Sequence, residues 1–318
     1  MFSRKIKKKN KIKRLILKLL NVYAIDKFNF NFINPPIENN SSNHDILNYK
    51  SFNLSSGFTN LDRKVNTLDI MFRYSPSNSL WQSTDRWKRI IPNINKEILI
   101  KVCLMSLKSS ILNFLNQNNL KINLNLISDG SNIDFDNKIN NLLSNEKFKI
   151  NFFKSKIHGN RGSYLECCDL AEKSEDLVFF IEDDYLFEPE CINEIILSFS
   201  KISSILKNDI FMCPSDYPFY YDSNYKTSLI IGKNYKWRSV GETLLTFLFS
   251  KNLLNKFRNE IRLVGEQENS PFEKPLHEIF KKHYCFAPVN SLSYHLSRSI
   301  PAVSENWLKL WEKNFKEI

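Results

Sequence analysis

Leu177-Val178-Phe179-Phe180-Ile181-Glu182-Asp183-Asp184-Tyr185 runs five apolar residues straight into three consecutive carboxylates. An unbroken apolar run with β-branched and aromatic members reads as a strand buried on both faces, as in a parallel sheet. The acids then fall at its C-terminal end, the edge of an open α/β sheet where ligands bind. Three adjacent carboxylates repel one another unless a cation or a proton sits among them. Hard divalent cations take oxygen ligands and share them with substrate phosphates. The stretch therefore points to a metal–diphosphate site at a sheet edge. Its plain structural reading is a solvated acidic turn after a core strand.

The surrounding pattern sets this strand in a larger sheet. Leu68–Tyr74 reads as a strand ending near Arg73, and Lys96–Asn116 as a long helix with Ile98, Val102, Met105, Ile111 and Leu115 among its apolar positions. Ile122–Ser128 alternates polar and apolar residues before the turn signal Asp129-Gly130-Ser131. Ile139–Leu143 reads as a short helix, Phe148–Phe153 as a third strand, and Arg161–Lys173 as a helix opened by Asn160 and Gly162. Leu177–Ile181 is the fourth strand. Such β-α alternation predicts an α/β fold, with a mostly parallel central sheet, helices on both faces and right-handed crossovers.

Composition narrows the function classes. The 318 residues suffice for a large buried core, and 42% hydrophobic with 25% charged residues is ordinary for a globular chain. The net charge of +11 is concentrated at one end. Nine basic side chains and no acid lie in the first twenty residues, leaving 36 basic against 34 acidic residues beyond them. A nearly neutral body argues against nucleic acid as a partner, which would need a basic face on the folded domain. Ile12, Leu15, Ile16, Leu19, Leu20 and Tyr23 form one apolar helical stripe with Lys11, Lys13, Arg14 and Lys18 between. Residues 1–23 thus read as a basic amphipathic extension. It could lie on an anionic membrane surface, each basic residue adding roughly 1 kcal/mol, or dock on the body, or form a basic tail. Residues 24–66, rich in Asn and Ser with Pro35-Pro36, read as a linker that wraps the domain of residues 67–318. Phe28, Phe30 and Phe32 are candidates for groove insertion. No apolar stretch reads as long enough to span a bilayer, and no uninterrupted apolar segment at the start suggests a secretory signal. Cys103, Cys167, Cys168, Cys191, Cys213 and Cys285 show no zinc or C-x-x-C spacing, so they read as reduced core residues of a cytoplasmic protein.

The succession Phe72-Arg73, Ile127-Ser128-Asp129-Gly130-Ser131, Asn160-Arg161-Gly162 and Phe180-Ile181-Glu182-Asp183-Asp184-Tyr185 resembles family 2-type glycosyltransferases of the GT-A (nucleotide-diphospho-sugar transferase) fold. The triplet Glu182-Asp183-Asp184 stands where that family has D-x-D. Phe211–Tyr225, Trp237-Arg238-Ser239-Val240-Gly241-Glu242-Thr243, Pro288–His295 and the Glu305-x-Trp307 tail resemble later segments of a bacterial subgroup, so that the resemblance covers about residues 68–312.

What the resemblance implies is a metal-dependent transfer of a sugar from a nucleotide diphosphate donor, UDP-type, to a glycan or other hydroxyl acceptor at the inner face of the cell membrane. It implies Asp184 and His295 as ligands of Mn2+ or Mg2+, and Glu182 and Asp183 toward the ribose or a metal-bound water. Asp129 would read the base edge, Arg73 would meet the base or a phosphate, and Asn160 and Arg161 would line the nucleotide. Trp237 and Arg238 would face the acceptor. Inversion needs a general base. Glu273, opening a helix expected over Pro275–Lys282, and Glu268 are its candidates, with Glu242 also possible, because the family's usual Glu-Asp pair is missing. Each position has a bland alternative: Asp129 as a turn residue, Arg73 as half of an ion pair, Asn160 as a helix cap, His295 as a satisfied interior histidine, Trp237 as a loop anchor. His277 and His283 read as surface helix residues. A sugar-nucleotide nucleotidyltransferase would share the sheet and the metal, but Ser75-Pro76-Ser77 lacks the glycines of its phosphate loop. An inactive membrane-associated binding protein of the same fold is the non-enzymatic alternative.

Overall fold

The computed structural model describes residues 30–32, 51–54, 57–77, 94–144, 147–221, 227–296 and 307–318. The basic extension at residues 1–23, with its membrane reading, lies outside them, as does Glu305. In chain order the strands are β1 (Phe30–Phe32), β2 (Ser51–Leu54), β3 (Gly57–Asn60), β4 (Thr67–Tyr74), β5 (Lys121–Ser128), β6 (Lys149–Lys154), β7 (Leu177–Glu182), β8 (Tyr185–Phe187), β9 (Phe211–Met212), β10 (Thr227–Ile231), β11 (Lys236–Ser239), β12 (Phe247–Ser250), β13 (Cys285–Pro288) and β14 (Ser293–His295). The helices are α1 (Lys96–Leu115), α2 (Ile133–Leu142), α3 (Asn160–Ala171), α4 (Cys191–Leu206), α5 (Lys251–Lys256), α6 (Arg258–Glu266), α7 (Lys274–Phe280) and α8 (Trp307–Phe315).

Among the described residues ten strands form one sheet in the order β1-β10-β11-β13-β9-β12-β7-β4-β5-β6. From β7 to β6 it is wholly parallel, as the β-α alternation predicts, while β12 joins β7 antiparallel. The chain steps outward from β4 through α1 to β5 and through α2 to β6, then turns back through α3 to β7. Right-handed crossovers in opposite directions place α1 and α2 on one face and α3 on the other. The packing agrees: α1 meets α2, α4 and α8, whereas α3 meets α6 and α6 meets α7. The sheet order reverses between β4 and β7, and a crevice at their carboxyl ends is where such sheets bind ligands.

Burial explains why β7 has no alternation. Leu177, Val178, Phe179, Phe180 and Ile181 are all at most 1% exposed. Phe180 packs edge-on against Tyr164 of α3 at 5.6 Å and against Phe247 and Phe249 of β12 at 5.5 and 5.1 Å. Phe179, pointing the other way, meets Phe187 at 6.3 Å. All six cysteines are free and buried, as expected.

Several expectations are corrected. The linker supplies β1 at the sheet edge, parallel to β10, and the hairpin β2–β3. Its end is stapled into the domain, because Arg63 pairs with Asp176 and Asp209 and Val65 joins the core. Helix α2 starts at Ile133, six residues early, because the Asn132 side chain caps the Phe135 amide. Pro288–His295 is not one strand: β13 ends at Pro288 and β14 pairs with β8 instead. Helix α1 is, contrary to expectation, long and apolar enough to cross a membrane by length and composition. Its apolar faces are spent inside the protein, with Ile100, Leu104, Leu107, Ile111 and Phe114 in the main core and Leu99, Val102 and Cys103 against Trp311 and Leu310 of α8.

The Phe180 cluster gives a stability test. Phe180→Ala removes a buried ring from three edge-to-face contacts and is expected to cost about 3–5 kcal/mol in urea unfolding. A loss below about 1 kcal/mol would show that the cluster is not the centre of the fold.

Candidate active site

The β4–β7 register sets Arg73 directly beside Glu182. Arg73 is buried, and its guanidinium pairs with the Glu182 carboxylate, donates to the Asn160 side chain and to the Asn160 carbonyl at 3.1 Å, and stacks over Tyr164 at 5.8 Å. Arg73 is thus held by an acid and by the start of α3. Burial pushes the Glu182 carboxyl up and Arg73 opposes it.

The next two acids also have cations of their own. Asp183 takes Nζ of Lys96, the first residue of α1, at 2.5 Å on one oxygen and the Ser75 amide at 2.9 Å on the other. Burial raises the Asp183 carboxyl, and Lys96 offsets it. Asp184 accepts from His295 Nε2 at 3.1 Å through Oδ2. Burial would push the Asp184 carboxyl up, but the charge and hydrogen bond of His295 outweigh it, and it is lowered to about 2. His295 is brought across 111 residues of sequence by the β8–β14 pairing, which sets it opposite Tyr185. Its ring stacks on Tyr185 at 4.7 Å, and the Leu296 amide donates to the Asp184 carbonyl at 2.8 Å. The Tyr185 and Tyr217 hydroxyls meet at 2.5 Å below this stack.

The residues suit a divalent cation. One ligand atom from each of Glu182, Asp184 and His295 lies within 4.8 Å of the others. Asp184 Oδ1 is buried without a hydrogen-bond partner among the described residues, a costly state that a cation would relieve. Asp183, with both oxygens engaged by Lys96 and Ser75, stands apart from that cluster.

Other expected site residues have partners within the chain. Asp129 is buried, with Oδ1 at 3.0 Å from His158 Nδ1 and Oδ2 accepting the Gly159 amide at 2.9 Å. It pins a turn in which Gly159 has φ of +95°, a conformation that suits glycine. Arg161 is exposed but donates to the Gly265 and Glu266 carbonyls at 2.8 and 2.6 Å, where a cation suits the C-terminus of α6. Trp237 corrects an expectation: it is fully buried, its Nε1 donates to Glu194 at 3.4 Å, and it offers no face to an acceptor. Arg238 donates to the Tyr220 carbonyl at 3.2 Å and lies 4.4 Å over the Tyr221 ring.

The two base candidates separate. Glu273 precedes α7 as expected, but it is buried. It accepts the amides of Thr243, Leu244 and Leu245 at 3.1–3.3 Å and the Thr243 hydroxyl at 3.0 Å. It holds a turn in which Leu244 and Leu245 have φ of 47° and 62°, a backbone that non-glycine residues adopt only when the surroundings enforce it. The turn carries Thr246, whose Oγ1 accepts the Glu182 amide at 3.3 Å. Glu268 is exposed. His283, expected on the surface, is buried, with Nε2 at 2.6 Å from the Asp209 carbonyl. His277, expected there too, is half-buried beside Glu273.

Sequence reading gave no individual role to Lys96 or Asp216. Lys96 looked like an ordinary helix start, although a cation there opposes the helix dipole; that mismatch was the available signal. Asp216, in the loop after β9, is buried, with Oδ1 lacking a partner among the described residues. Burial pushes its carboxyl up to about 6, against the Tyr221 hydroxyl and the charge of Arg238.

No protein-family model matches the sequence, and neither does any curated protein. Solved structures align only distantly. The inositol-1-phosphate CTP transferase from T. maritima is 11% identical with a TM-score of 0.40, over 79% of this chain and 97% of that one. The glycosyltransferase GlyE of Streptococcus pneumoniae is 12% identical with a TM-score of 0.42, over 80% of this chain and 63% of that one. HddC from Yersinia pseudotuberculosis is 14% identical with a TM-score of 0.38, over 77% and 98%. Likenesses this distant carry nothing about the reaction.

Two outcomes follow from these charges. Lys96→Met leaves Asp183 buried without its cation and is expected to cost about 3–5 kcal/mol at neutral pH, most of it recovered in Lys96→Met/Asp183→Asn. Equal losses in the single and double variants would contradict the pairing. Asp216 is raised on folding, so it lowers stability as pH rises from about 4 to about 6, by an amount on the order of 3 kcal/mol. Asp216→Asn is expected to abolish that part of the pH dependence in urea unfolding, and an unchanged profile would refute the assignment.

Proposed function

We propose that the chain is a GT-A-type glycosyltransferase that moves a sugar from a nucleoside diphosphate donor, UDP-type, to a hydroxyl of a glycan acceptor, with inversion. One observation carries this reading. Asp184 Oδ1 is buried without a hydrogen-bond partner among the described residues, beside Glu182 and His295, at the carboxyl edge of the sheet where its order reverses. Asp184 and His295 would hold Mn2+ or Mg2+, with Glu182 in reach. Such an ion, when bound, acts as a Lewis acid on the leaving diphosphate.

The chain's own residues divide the remaining work. Arg73 holds Glu182 in place from the β4 side, and Asn160 holds Arg73. Lys96 neutralises Asp183, which through the Ser75 amide fixes the loop leaving β4. That loop and Asp129 frame the nucleotide side. Arg238 with Tyr221 lies on the acceptor side. Glu273 shapes the turn beside Glu182, so Glu268 is the base candidate for the acceptor proton. Residues 1–23 would hold the enzyme on an anionic membrane surface near a glycan precursor.

Calorimetric titration with UDP tests the donor site. Binding is expected to need Mn2+ and to weaken at least tenfold in Asp184→Asn. Equal binding by the variant would sink the metal assignment. Product analysis separates the reactions: a glycosyltransferase releases nucleoside diphosphate from a nucleotide sugar. Release of pyrophosphate from a nucleoside triphosphate and a sugar phosphate would place the chain among nucleotidyltransferases instead.

A further inference from the structure

Asp216, in the loop after β9, and Arg238, on β11, meet at the ring of Tyr221, and both are buried. The Tyr221 hydroxyl donates to Asp216 Oδ2, and the Arg238 guanidinium lies 4.4 Å over the Tyr221 ring. Each buried side chain still has an unused polar atom. Among the described residues, neither Asp216 Oδ1 nor Arg238 Nε has a hydrogen-bond partner, so the two do not satisfy each other. We propose that Asp216 and Arg238 form a subsite for the acceptor sugar, with Oδ1 accepting from one ring hydroxyl and Nε donating to its neighbour. The assignment rests on the glycosyl transfer proposed above and adds to it Asp216 and the kind of group that the pair takes.

Three observations support it. The first is the charge of the pair, which selects the ligand class. An ionised carboxylate only accepts hydrogen bonds and a guanidinium only donates them. A phosphate or carboxylate ligand would suit Arg238 but be repelled by Asp216, and an ammonium would meet the reverse. Two neighbouring hydroxyls are neutral, and each both donates and accepts, so they serve both residues.

The second is the state of Asp216. Burial pushes its carboxyl up to about 6, against the Tyr221 hydroxyl and the charge of Arg238. At neutral pH it is therefore ionised and buried with one oxygen unmet, which a donating hydroxyl would relieve. Such a carboxylate is more costly to fold than a neutral side chain, a pattern found at functional sites.

The third is position. The Asp216 amide donates to Ser291 Oγ at 2.9 Å, and Ser215 Oγ lies 2.7 Å from Ser293 Oγ. On the other side of Asp216, the Tyr217 hydroxyl meets that of Tyr185 at 2.5 Å. The loop is thereby fastened to β14, which carries His295, and to the residue that follows Asp184. Tyr221, 52% exposed, marks the side from which a ligand reaches the pair.

Methyl glycosides are the probe. Methyl hexopyranosides of gluco, galacto and manno configuration are titrated into the full chain without nucleotide or metal, and binding is read by saturation-transfer NMR. At least one of them is expected to bind. Asp216→Asn and Arg238→Met, each checked for folding by circular dichroism, are expected to weaken that binding at least tenfold, as the loss of a hydrogen bond to a charged group implies. One monodeoxy analogue of the bound glycoside is expected to bind the native chain at least tenfold more weakly than its parent, and to bind Asp216→Asn no more weakly than the parent does. Failure of the native chain to bind any of the three glycosides, or equal binding by the native chain and both variants, would overturn the subsite. So would deoxy analogues that lose affinity equally in native and variant chains. Should Asp216→Asn not fold, Arg238→Met serves alone, and an unchanged affinity overturns the subsite. Loss of UDP binding by the native chain with Mn2+, with glycoside binding intact, would count against the donor site alone.

Discussion

Three adjacent carboxylates at the end of a buried strand cannot all stay charged without compensation, and the fold is arranged around that constraint. Each acid has its own cation from a different part of the chain. Glu182 has Arg73 from β4, Asp183 has Lys96 from α1, and Asp184 has His295 from β14. Solvation of a buried charge is expensive to lose, and close pairing with hydrogen bonds is what makes it tolerable. The neighbouring strand, the crossover helix and the late strand β14 all have to arrive before the end of β7 is electrostatically complete. Among the described residues, Asp184 Oδ1 is left as the buried oxygen of the triplet without a hydrogen-bond partner. The chemistry assigned to the site rests on that leftover valence rather than on the number of acids.

Topology puts this residue of unsatisfied charge where a ligand can use it. The crossovers on the two sides of the parallel β4–β7 pair run in opposite directions along the sheet, which parts the helices and opens the carboxyl edge. The antiparallel β12 on the other flank of β7 leads in through the Leu244–Leu245 turn, whose left-handed backbone is held by Glu273. The site is therefore walled by parallel-sheet loops on one side and by a strained turn on the other.

The parallel half was legible because its signals are local. The apolar run of β7, the alternation in β5 and the turn after it each reflect burial within a few residues. The strands between residues 30 and 60 were not legible, since a polar Asn- and Ser-rich segment can join a sheet edge through backbone hydrogen bonds without any side-chain period. At the site, the Asp184–His295 pairing followed from resemblance and not from spacing, since 111 residues separate the two. Lys96, Glu273 and Trp237 show the general limit. Residue type suggested a helix start, a base and a stacking ring, but burial and partners settle the role, and these depend on contacts far apart in sequence. Asp129 and Arg161 likewise spend their polar atoms inside the chain.

The most direct measurement is anomalous diffraction from crystals soaked with Mn2+ and UDP. The expected result is one manganese peak bounded by Asp184 Oδ1, Glu182 and His295, with the diphosphate on its open side. Ordered UDP with its diphosphate away from β4 and β7, or manganese absent from that cluster while UDP is bound, would contradict the account.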